Sequence, residues 1–353
     1  FCIIIVLYFI KSKNKIRLED YFFMKIRFYL SLLIAKLLYY FLKITKLSSG
    51  TAIIGLIVLK ICPNFLTHVN EYIKIAQINV TGTNGKTTTS GILSHLIRKN
   101  DKSVIHNSVG ANMLNGIVNA LALQINPFKK QDYSVIETDE AFLRKVYSKI
   151  EGDYLLVTNL FEDQTDRFAN PIVTRDLIQE GINKQPKVQL VLNADEPISA
   201  TLKSEVEPIF YSVEKVINED GEIFENTNPN TVCPICNNIL NYSKSFYSQI
   251  GHFECNCGYK HKDAKYKATV TLRKNSSVIE LDDEKYDIDG IYTFDVTYNS
   301  KKNDSNNHFN TYLYFYDCSS QLCTSTIKPT YCTGTDTHKH VKDGPDNWEE
   351  YSR

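Results

Sequence analysis

The sequence predicts an α/β protein with a doubly wound parallel sheet and an inserted cysteine module. Short apolar runs alternate with helical patterns, which is typical of a parallel sheet with crossover helices. Parallel strands covered on both faces are nearly continuous apolar runs, as these are. A glycine-rich loop follows the first run, and two cysteine pairs follow the last. The runs are at 75–80, 134–140, 154–160 and 188–197, and the helical patterns are at Leu114–Leu123, Ala141–Ile150 and Thr174–Asn183.

Length and charge narrow the function classes. The 353 residues suffice for two or three domains, and 43% of them are hydrophobic. Lys plus Arg and Asp plus Glu balance at 40 each, which argues against a nucleic-acid partner because such proteins usually carry a basic excess. Nine cysteines is an odd number, and four are clustered. That pattern favours a metal site in a reducing compartment over a disulfide framework.

The N-terminal region divides into two segments. No methionine precedes Met24, so we interpret residues 1–23 as an upstream, non-native extension. Residues 24–68 are predicted to be a helical, amphipathic segment. Between 24 and 46 the apolar positions recur at helical spacing, but Arg27, Lys36 and Lys43 interrupt the run. This helix is either buried, or a basic amphipathic helix on a membrane surface, or a signal peptide, although no convincing small-residue cleavage site follows.

The segment VTGTNGKTT at 80–88 lies between the first strand and a helix and predicts a phosphate loop. Glycines let the backbone approach a phosphate, and a helix N-terminus supplies free N–H groups. Lys86 is expected to neutralise phosphate charge, and the Thr87 hydroxyl to bind Mg²⁺. Val80 stands where the generic pattern has a small residue, so the loop is a variant. The alternative is a chance Gly-Lys-Thr.

Polar residues end two further strands. Glu137 ends the second strand, at the edge where ligands bind in open α/β sheets, and its carboxylate can hold Mg²⁺. The alternative is capping of a helix beginning at Ala141, an interpretation that suits Asp139 better. Asn193 and Asp195 end the fourth strand, where an amide can pair with adenine and a carboxylate with a ribose hydroxyl. A simple strand-to-helix turn is the alternative there.

Two cysteine pairs predict a zinc ribbon inserted at 228–262. Cys233-Pro-Ile-Cys236 is separated by eighteen residues from Cys255-Asn-Cys257. Two close pairs around a hairpin-length insert are typical of a tetrahedral Cys₄ site. Four sulfurs close the coordination shell, so the expected Zn²⁺ is structural. A redox dithiol is the alternative, but it would not need two pairs.

Several stretches resemble the Mur ligase family, and within it the MurT-type subunits of lipid II isoglutaminyl synthases. The resemblance covers about residues 24–292, of which 69–292 would be the central ATP-binding domain with its zinc ribbon. The fold it implies is the Mur ligase-type doubly wound parallel sheet with a phosphate loop. The matching stretches are SSGTAIIGLIVLKICPNFL at 48–66, VTGTNGKTTT at 80–89, NSVGANMLNG at 107–116 and TNLFEDQTDRF at 158–168.

The resemblance also implies roles for individual residues. Lys86 and Glu137 would act in catalysis, and Thr87 and Glu137 would hold Mg²⁺. Gln164 stands where many Mur ligases have a metal-contacting His. The residues that the resemblance assigns to ATP are Gly82, Thr83, Asn84, Gly85, Lys86, Thr87, Thr88, Asn193 and Asp195.

The implied reaction has two steps. ATP phosphorylates the α-carboxyl of D-Glu in lipid II, and ammonia from a GatD-type glutaminase, the partner in a heterodimer, then displaces phosphate to give D-isoglutamine. The implied location is cytoplasmic, peripheral at the inner face of the plasma membrane. One alternative is a folylpolyglutamate-synthase-like ligase, against which the zinc module counts. The other is a non-catalytic module that binds ATP and zinc.

The tail at 293–353 differs in character from the rest. It is rich in Ser, Thr, Asn, Asp and Tyr, has little periodicity, and lies beyond the resemblance. We interpret it as frameshifted or truncated, because the family continues there with a C-terminal domain. The expectation is that this chain binds ATP but does not amidate lipid II, even when the GatD-type partner and glutamine are supplied.

Overall fold

The computed structural model describes residues 2–45, 51–107, 111–161, 170–218, 221, 230–273, 276–281 and 284–289. Gln164 and the tail at 293–353 lie outside these ranges. The chain divides into two compact units, which are described separately. The first comprises residues 1–191 and 202–208, and the second residues 192–201 and the chain from 209 onward.

The first unit contains a parallel sheet whose order reverses at its central strand. The strand order is β5-β4-β1-β3-β2, and β1 pairs in parallel with both β3 and β4. The chain therefore moves to one side of β1 and then to the other, which creates a topological switch point at the carboxyl end of β1. The four predicted strands are confirmed. The strands are β1 (Ile73–Thr81), β2 (Val104–His106), β3 (Gln131–Glu137), β4 (Tyr154–Val157) and β5 (Gln189–Asn193), of which β5 continues into the second unit.

The helices of the first unit follow the predicted pattern with one exception. The helix predicted at Ala141–Ile150 is reduced to the single turn α6. The Asp139 carboxylate accepts the Ala141 N–H just before this turn. The predicted N-terminal helix is present, and it already begins at Cys2. The helices are α1 (Cys2–Thr45), α2 (Thr51–Ile61), α3 (Phe65–Val69), α4 (Lys86–Lys99), α5 (Leu114–Gln124), α6 (Leu143–Val146) and α7 (Pro171–Ile182).

The second unit has a mixed sheet. Between residues 266 and 289 the chain forms three strands, and each pairs antiparallel with its neighbour in the sequence. The order is β11-β10-β9-β6-β5, and β6 pairs in parallel with β9. Strands β7 and β8 form a separate hairpin. The strands are β6 (Ile209–Ile217), β7 (Asn241–Tyr247), β8 (Ile250–Glu254), β9 (Tyr266–Leu272), β10 (Ser276–Leu281) and β11 (Glu284–Asp289).

One face of α1 is docked on the first unit. Phe28 is fully buried, and its ring stacks on Phe65 and on Tyr72 with centroids 5.1 and 5.3 Å away. Further along the helix, Lys36 Nζ donates to the Ile125 carbonyl, at 3.3 Å. This face therefore belongs to the hydrophobic core, as one of the alternatives for residues 24–46 predicts.

Helices α2 and α5 approach so closely that a glycine is required between them. A Cβ added at Gly55 of α2 would lie 1.8 Å from the Asn115 carbonyl oxygen of α5. Both groups belong to helix backbones, so a side chain at this position cannot be accommodated by a rotamer change.

We expect Gly55→Ala to separate α2 from α5 and to lower the free energy of unfolding by about 1–3 kcal/mol, a typical cost of overpacking. Gly91→Ala in α4 is the matched control, since a Cβ there meets nothing within 4 Å. That change should be stabilising by about 0.5–1 kcal/mol, because alanine is the better helix former. Thermal unfolding of both variants checks this. Equal stability of the two would contradict the close packing.

Candidate nucleotide and metal sites

The phosphate loop adopts a shape that only glycine permits at two positions. Gly82 has φ +127° and Gly85 has φ +80°, both in the region that other residues avoid. A Cβ at Gly82 would also lie 2.3 Å from Thr158 Oγ1. The loop therefore lies directly against the end of β4, at the switch point of the sheet.

The end of β4 holds the loop by hydrogen bonds. The Thr83 N–H donates to the Asn159 carbonyl at 2.8 Å, and the Asn84 N–H donates to Asn159 Oδ1 at 3.0 Å. Thr158 Oγ1 donates to the Asn84 carbonyl at 2.7 Å. Sequence reasoning gave Asn159 no role, although it lies within the predicted strand run at 154–160. The signal in the sequence that could have identified Asn159 was a polar residue directly after an apolar strand. Its contact with the phosphate loop could not be predicted, because that contact depends on the pairing of β1 with β4.

The loop leads into the N-terminus of α4, which is open to an anion. Gly85 is the N-cap residue and supplies no side-chain hydrogen bond to the first turn. The N–H groups of Lys86, Thr87 and Thr88 belong to this turn, where α-helical N–H groups have no intrahelical acceptor. Such groups, together with the helix dipole, bind phosphate.

Lys86 folds over the loop and pairs with an acid that the sequence did not assign. Its Nζ donates to the carbonyls of Gly82 and Thr83, and it lies 2.9 Å from Glu140 Oε1. Burial raises the pKa of Glu140, and the Lys86 charge partly opposes that shift. The pair is mostly shielded from solvent, so the ammonium group is held at the loop in a partly desolvated position.

Glu137 is the acid at the carboxyl end of β3, level with Val80 in the strand register. Asn107 fixes its backbone from both sides: Asn107 Oδ1 accepts the Glu137 N–H at 2.7 Å, and Asn107 Nδ2 donates to its carbonyl at 2.8 Å. Asn112 Nδ2 donates to Oε1 at 3.0 Å. Oε2 is buried and has no hydrogen-bond partner among the described residues. A buried carboxylate oxygen without a partner is costly, and a cation would satisfy it.

The two predicted nucleoside contacts belong to the second unit. Asn193 Oδ1 accepts the Asp195 N–H at 3.0 Å, so the two residues form a tight turn after β5. Both oxygens of the buried Asp195 accept hydrogen bonds from the protein: Ser212 Oγ donates to Oδ1 and the Val213 N–H to Oδ2, each at 2.8 Å. Their contacts with the nucleoside stay predictions.

The four predicted zinc ligands converge. All four sulfurs lie within 4.8 Å of one another. Cys233 Sγ is 3.8 Å from Cys257 Sγ, and Cys236 Sγ is 3.5 Å from Cys255 Sγ. Four sulfurs at about 2.3 Å from a tetrahedral Zn²⁺ would be about 3.8 Å apart. The Tyr259 N–H lowers the pKa of the Cys257 thiol to about 7, whereas burial raises the pKa of the Cys233 thiol. The case for the metal therefore rests on the positions of the sulfurs.

The cysteine module is hydrogen-bonded to the turn after β5. The Gly251 N–H donates to the Asp195 carbonyl at 2.9 Å, and Gln249 Nε2 donates to Glu196 Oε1 at 2.7 Å. His261 Nε2 lies 2.8 Å from Asp195 Oδ1. His261 follows the second cysteine pair, whereas Gly251 and Gln249 precede it. The module therefore holds from both sides the turn that carries Asn193 and Asp195.

This geometry agrees with comparisons to known proteins. Residues 80–213 match the Mur ligase middle domain family, a range that includes the phosphate loop, Glu137, Glu140 and the turn after β5. The chain carries a Mur ligase middle domain. The predicted family and α/β fold class are therefore confirmed.

Relatives of this Mur ligase domain include subunit MurT of lipid II isoglutaminyl synthase (glutamine-hydrolyzing) from Staphylococcus aureus strain COL. The two are 35% identical over 239 residues, 68% of this chain and 54% of the relative. MurT of Streptococcus pneumoniae strain ATCC BAA-255 / R6 is 29% identical over 256 residues, 70% and 56% of the two chains. The chain thus spans about half the length of these curated relatives. Among solved structures, a pseudomurein peptide ligase type C from Methanothermus fervidus matches with a TM-score of 0.49 and 22% identity, covering 61% of this chain and 42% of that one.

We expect Lys86→Ala to weaken ATP binding about ten- to a hundredfold, because it removes a charge-assisted contact of roughly 1.5–3 kcal/mol. Lys184→Ala, which removes an exposed lysine beyond α7, is the control and should bind ATP like the parent chain. Isothermal titration calorimetry measures both affinities. Unchanged affinity in Lys86→Ala would remove the loop from the nucleotide site.

Proposed function

We propose that this chain supplies the ATP-activating part of an amide ligase that acts on a lipid-linked peptidoglycan precursor. The substrate position proposed is the α-carboxyl of D-Glu in lipid II, and the nitrogen donor is ammonia from a glutaminase partner of the GatD type. The observation that carries the proposal is the convergence, at one switch point, of the phosphate loop, Lys86 and the buried Glu137 carboxylate, whose Oε2 has no hydrogen-bond partner in the described part of the chain. The similarity to MurT subunits of lipid II isoglutaminyl synthase supports the choice of substrate.

The chemistry requires activation of a carboxylate. A carboxylate resists attack by ammonia until one of its oxygens becomes part of a leaving group. Transfer of the γ-phosphoryl group to that oxygen gives an acyl phosphate and ADP, and attack of ammonia at the carbonyl carbon then releases phosphate and forms the amide. Phosphoryl transfer depends mainly on positioning and charge neutralisation, for which the α4 N-terminus and Lys86 are suited.

Lys86 must leave Glu140 to reach a phosphate. In the structure its Nζ is 2.9 Å from Glu140 Oε1. A bound phosphate would compete with this carboxylate for the ammonium group, and Glu140 would hold the lysine beside the loop until then. Mg²⁺ would be held by the Thr87 hydroxyl and by Glu137, whose Oε2 needs a cation. It would supply neutralisation of phosphate charge.

Zn²⁺ is proposed for the four cysteines as a structural ion, since four thiolates leave no open coordination position. The residues fit the ion, because the sulfur separations match the edges of a zinc tetrahedron. The ion would keep in place Gly251, which precedes the second cysteine pair, and His261, which follows it, and through them the turn after β5.

We expect purified chain to contain about one zinc per molecule, and Cys233→Ser to lose most of it, because three ligands bind zinc far more weakly than four. Cys62→Ser is the matched control. This thiol is also buried, but it directly follows α2 in the first unit and lies outside the cysteine module. Elemental analysis gives the metal content. A folded parent chain with four titratable thiols in the module and no metal would refute the assignment.

The amidation reaction is tested with the chain, the glutaminase partner, glutamine, ATP and lipid II. Conversion lowers the product mass by about one dalton per D-Glu, because OH is replaced by NH₂, and mass spectrometry resolves this. The ligase proposal predicts a signal that Lys86→Ala abolishes and that free ammonia can support without glutamine. ATP binding without any amidation would instead favour the non-catalytic module. That outcome is expected if amidation requires the C-terminal domain with which the family continues after the position of residue 292.

A further inference from the structure

Helix α1 has a second apolar face, opposite the one docked on the first unit. Its exposed side chains recur at intervals of three and four residues, and we call them the outer stripe. At about 100° of rotation per residue the outer stripe covers about 120° of the helix circumference. No charged residue interrupts it. Its members are Phe23, Ile26, Tyr29, Leu30, Leu33, Leu37, Tyr40, Phe41 and Ile44.

Positive charge borders the outer stripe. Residues 23–45 contain Lys25, Arg27, Lys36 and Lys43 and no acidic residue. On the helical projection the three lysines fall along one edge of the stripe and Arg27 along the other. Arg27 and Lys43 are exposed. An uncharged apolar face with basic edges is the composition of a helix that lies in a membrane interface.

A separate loop shows the same chemistry. The turn between α5 and β3 presents Phe128, whose side chain is 97% exposed, followed by the exposed Lys129 and Lys130. The turn is well defined, because the Phe128 N–H donates to Asn126 Oδ1 at 2.8 Å and the Lys129 N–H to the Asn126 carbonyl at 3.3 Å. A fully exposed phenylalanine has no packing role in the first unit.

The loop and the helix share one surface. Phe128, Lys129 and Lys130 line a cleft of about 610 Å³ together with Tyr29 and Lys25 of α1 and with Glu71. The Glu71 carboxylate pairs with Lys25, so the positive charge at this end of the surface is that of Lys129 and Lys130. Tyr29 lies at the edge of the outer stripe, so the stripe continues into the loop across this cleft.

The packing of α1 argues against its insertion across a bilayer. Among the described residues, Phe23–Thr45 is the one unbroken helix long and apolar enough to cross a membrane by length and composition. However, Phe28 is stacked between Phe65 and Tyr72, and Lys36 is bonded to the Ile125 carbonyl. Insertion across a bilayer would remove α1 from this core, whereas contact along the outer stripe leaves the core intact.

We propose that the outer stripe and the Phe128 loop form a docking surface for an anionic lipid bilayer. A second copy of the chain fits less well, because residues 23–45 offer no acidic side chain to pair with the basic edges of a partner helix. This proposal rests on the proposed function, since a lipid-linked substrate requires the enzyme at a membrane. The docking surface is the part of the chain that would contact that membrane.

The test is co-sedimentation of the full chain with vesicles of phosphatidylcholine, with and without phosphatidylglycerol. We expect binding to the anionic vesicles at low salt and its loss at about 0.5 M salt, where charges are screened beyond a few ångströms. Leu37→Glu, in the outer stripe, should weaken binding about tenfold or more, since it removes a large apolar contact. Val173→Glu on α7, an exposed aliphatic position outside the surface, should bind like the parent chain. Lys129→Glu combined with Lys130→Glu should weaken binding to anionic vesicles only.

Phe128→Trp reports directly on the loop. Its fluorescence should shift to the blue when anionic vesicles are added, after subtraction of the parent spectrum, to which the single native tryptophan contributes. ATP affinity measured on the same samples should be unaffected by Leu37→Glu, so failure of docking is distinguishable from failure of the nucleotide site. Absence of vesicle binding at low salt would overturn the proposal. So would a dimer, seen by sedimentation velocity, that Leu37→Glu dissociates while vesicles have no effect.

Discussion

The parallel pairing of β1 with both β3 and β4 is the constraint on which the nucleotide site depends. It brings the end of β3, with Glu137, and the end of β4, with Asn159, to either side of the loop that follows β1. The loop conformation itself is costly, with two glycines at positive φ. Asn159 offsets part of that cost by accepting two of the loop's N–H groups. Without this register the same residues would be separate polar strand ends.

The features that the sequence predicted are those encoded by neighbouring residues, and the features that it missed depend on contacts between distant residues. The strands β1, β3, β4 and β5 are bounded apolar runs, and the loop and cysteine pairs are contiguous motifs, so all were predicted. β2 has only three residues and was missed, and with it Asn107, which follows it and orients Glu137. The partnership of Lys86 with Glu140 links residues 54 positions apart, and it depends on which strand lies beside β1. The inner face of α1 was one of the predicted alternatives, but the exposure of Phe128 required the structure.

The cysteine module has a role beyond its own folding. A ribbon of this size has a small apolar core of its own, formed around Cys233, Leu240, Phe253 and Cys255. Small modules of this kind usually need a metal to be stable. Here the stabilised module also contacts Asp195 and Glu196 through both of its sides. The carboxylate of Asp195 accepts hydrogen bonds from groups of the protein, which explains why a charged residue is tolerated at a fully buried position.

The central claim is that Glu137 presents Oε2, which has no hydrogen-bond partner among the described residues, to a magnesium ion that accompanies ATP. The most direct measurement is the ATP affinity of Glu137→Gln, by calorimetry, with Mg²⁺ and with a chelator. The account predicts that Mg²⁺ strengthens ATP binding to the parent chain, and that the substitution removes most of this gain while binding in chelator stays close to that of the parent. An undiminished Mg²⁺ dependence in Glu137→Gln would contradict the account, because the ion would then be held without the carboxylate that the fold places beside the loop.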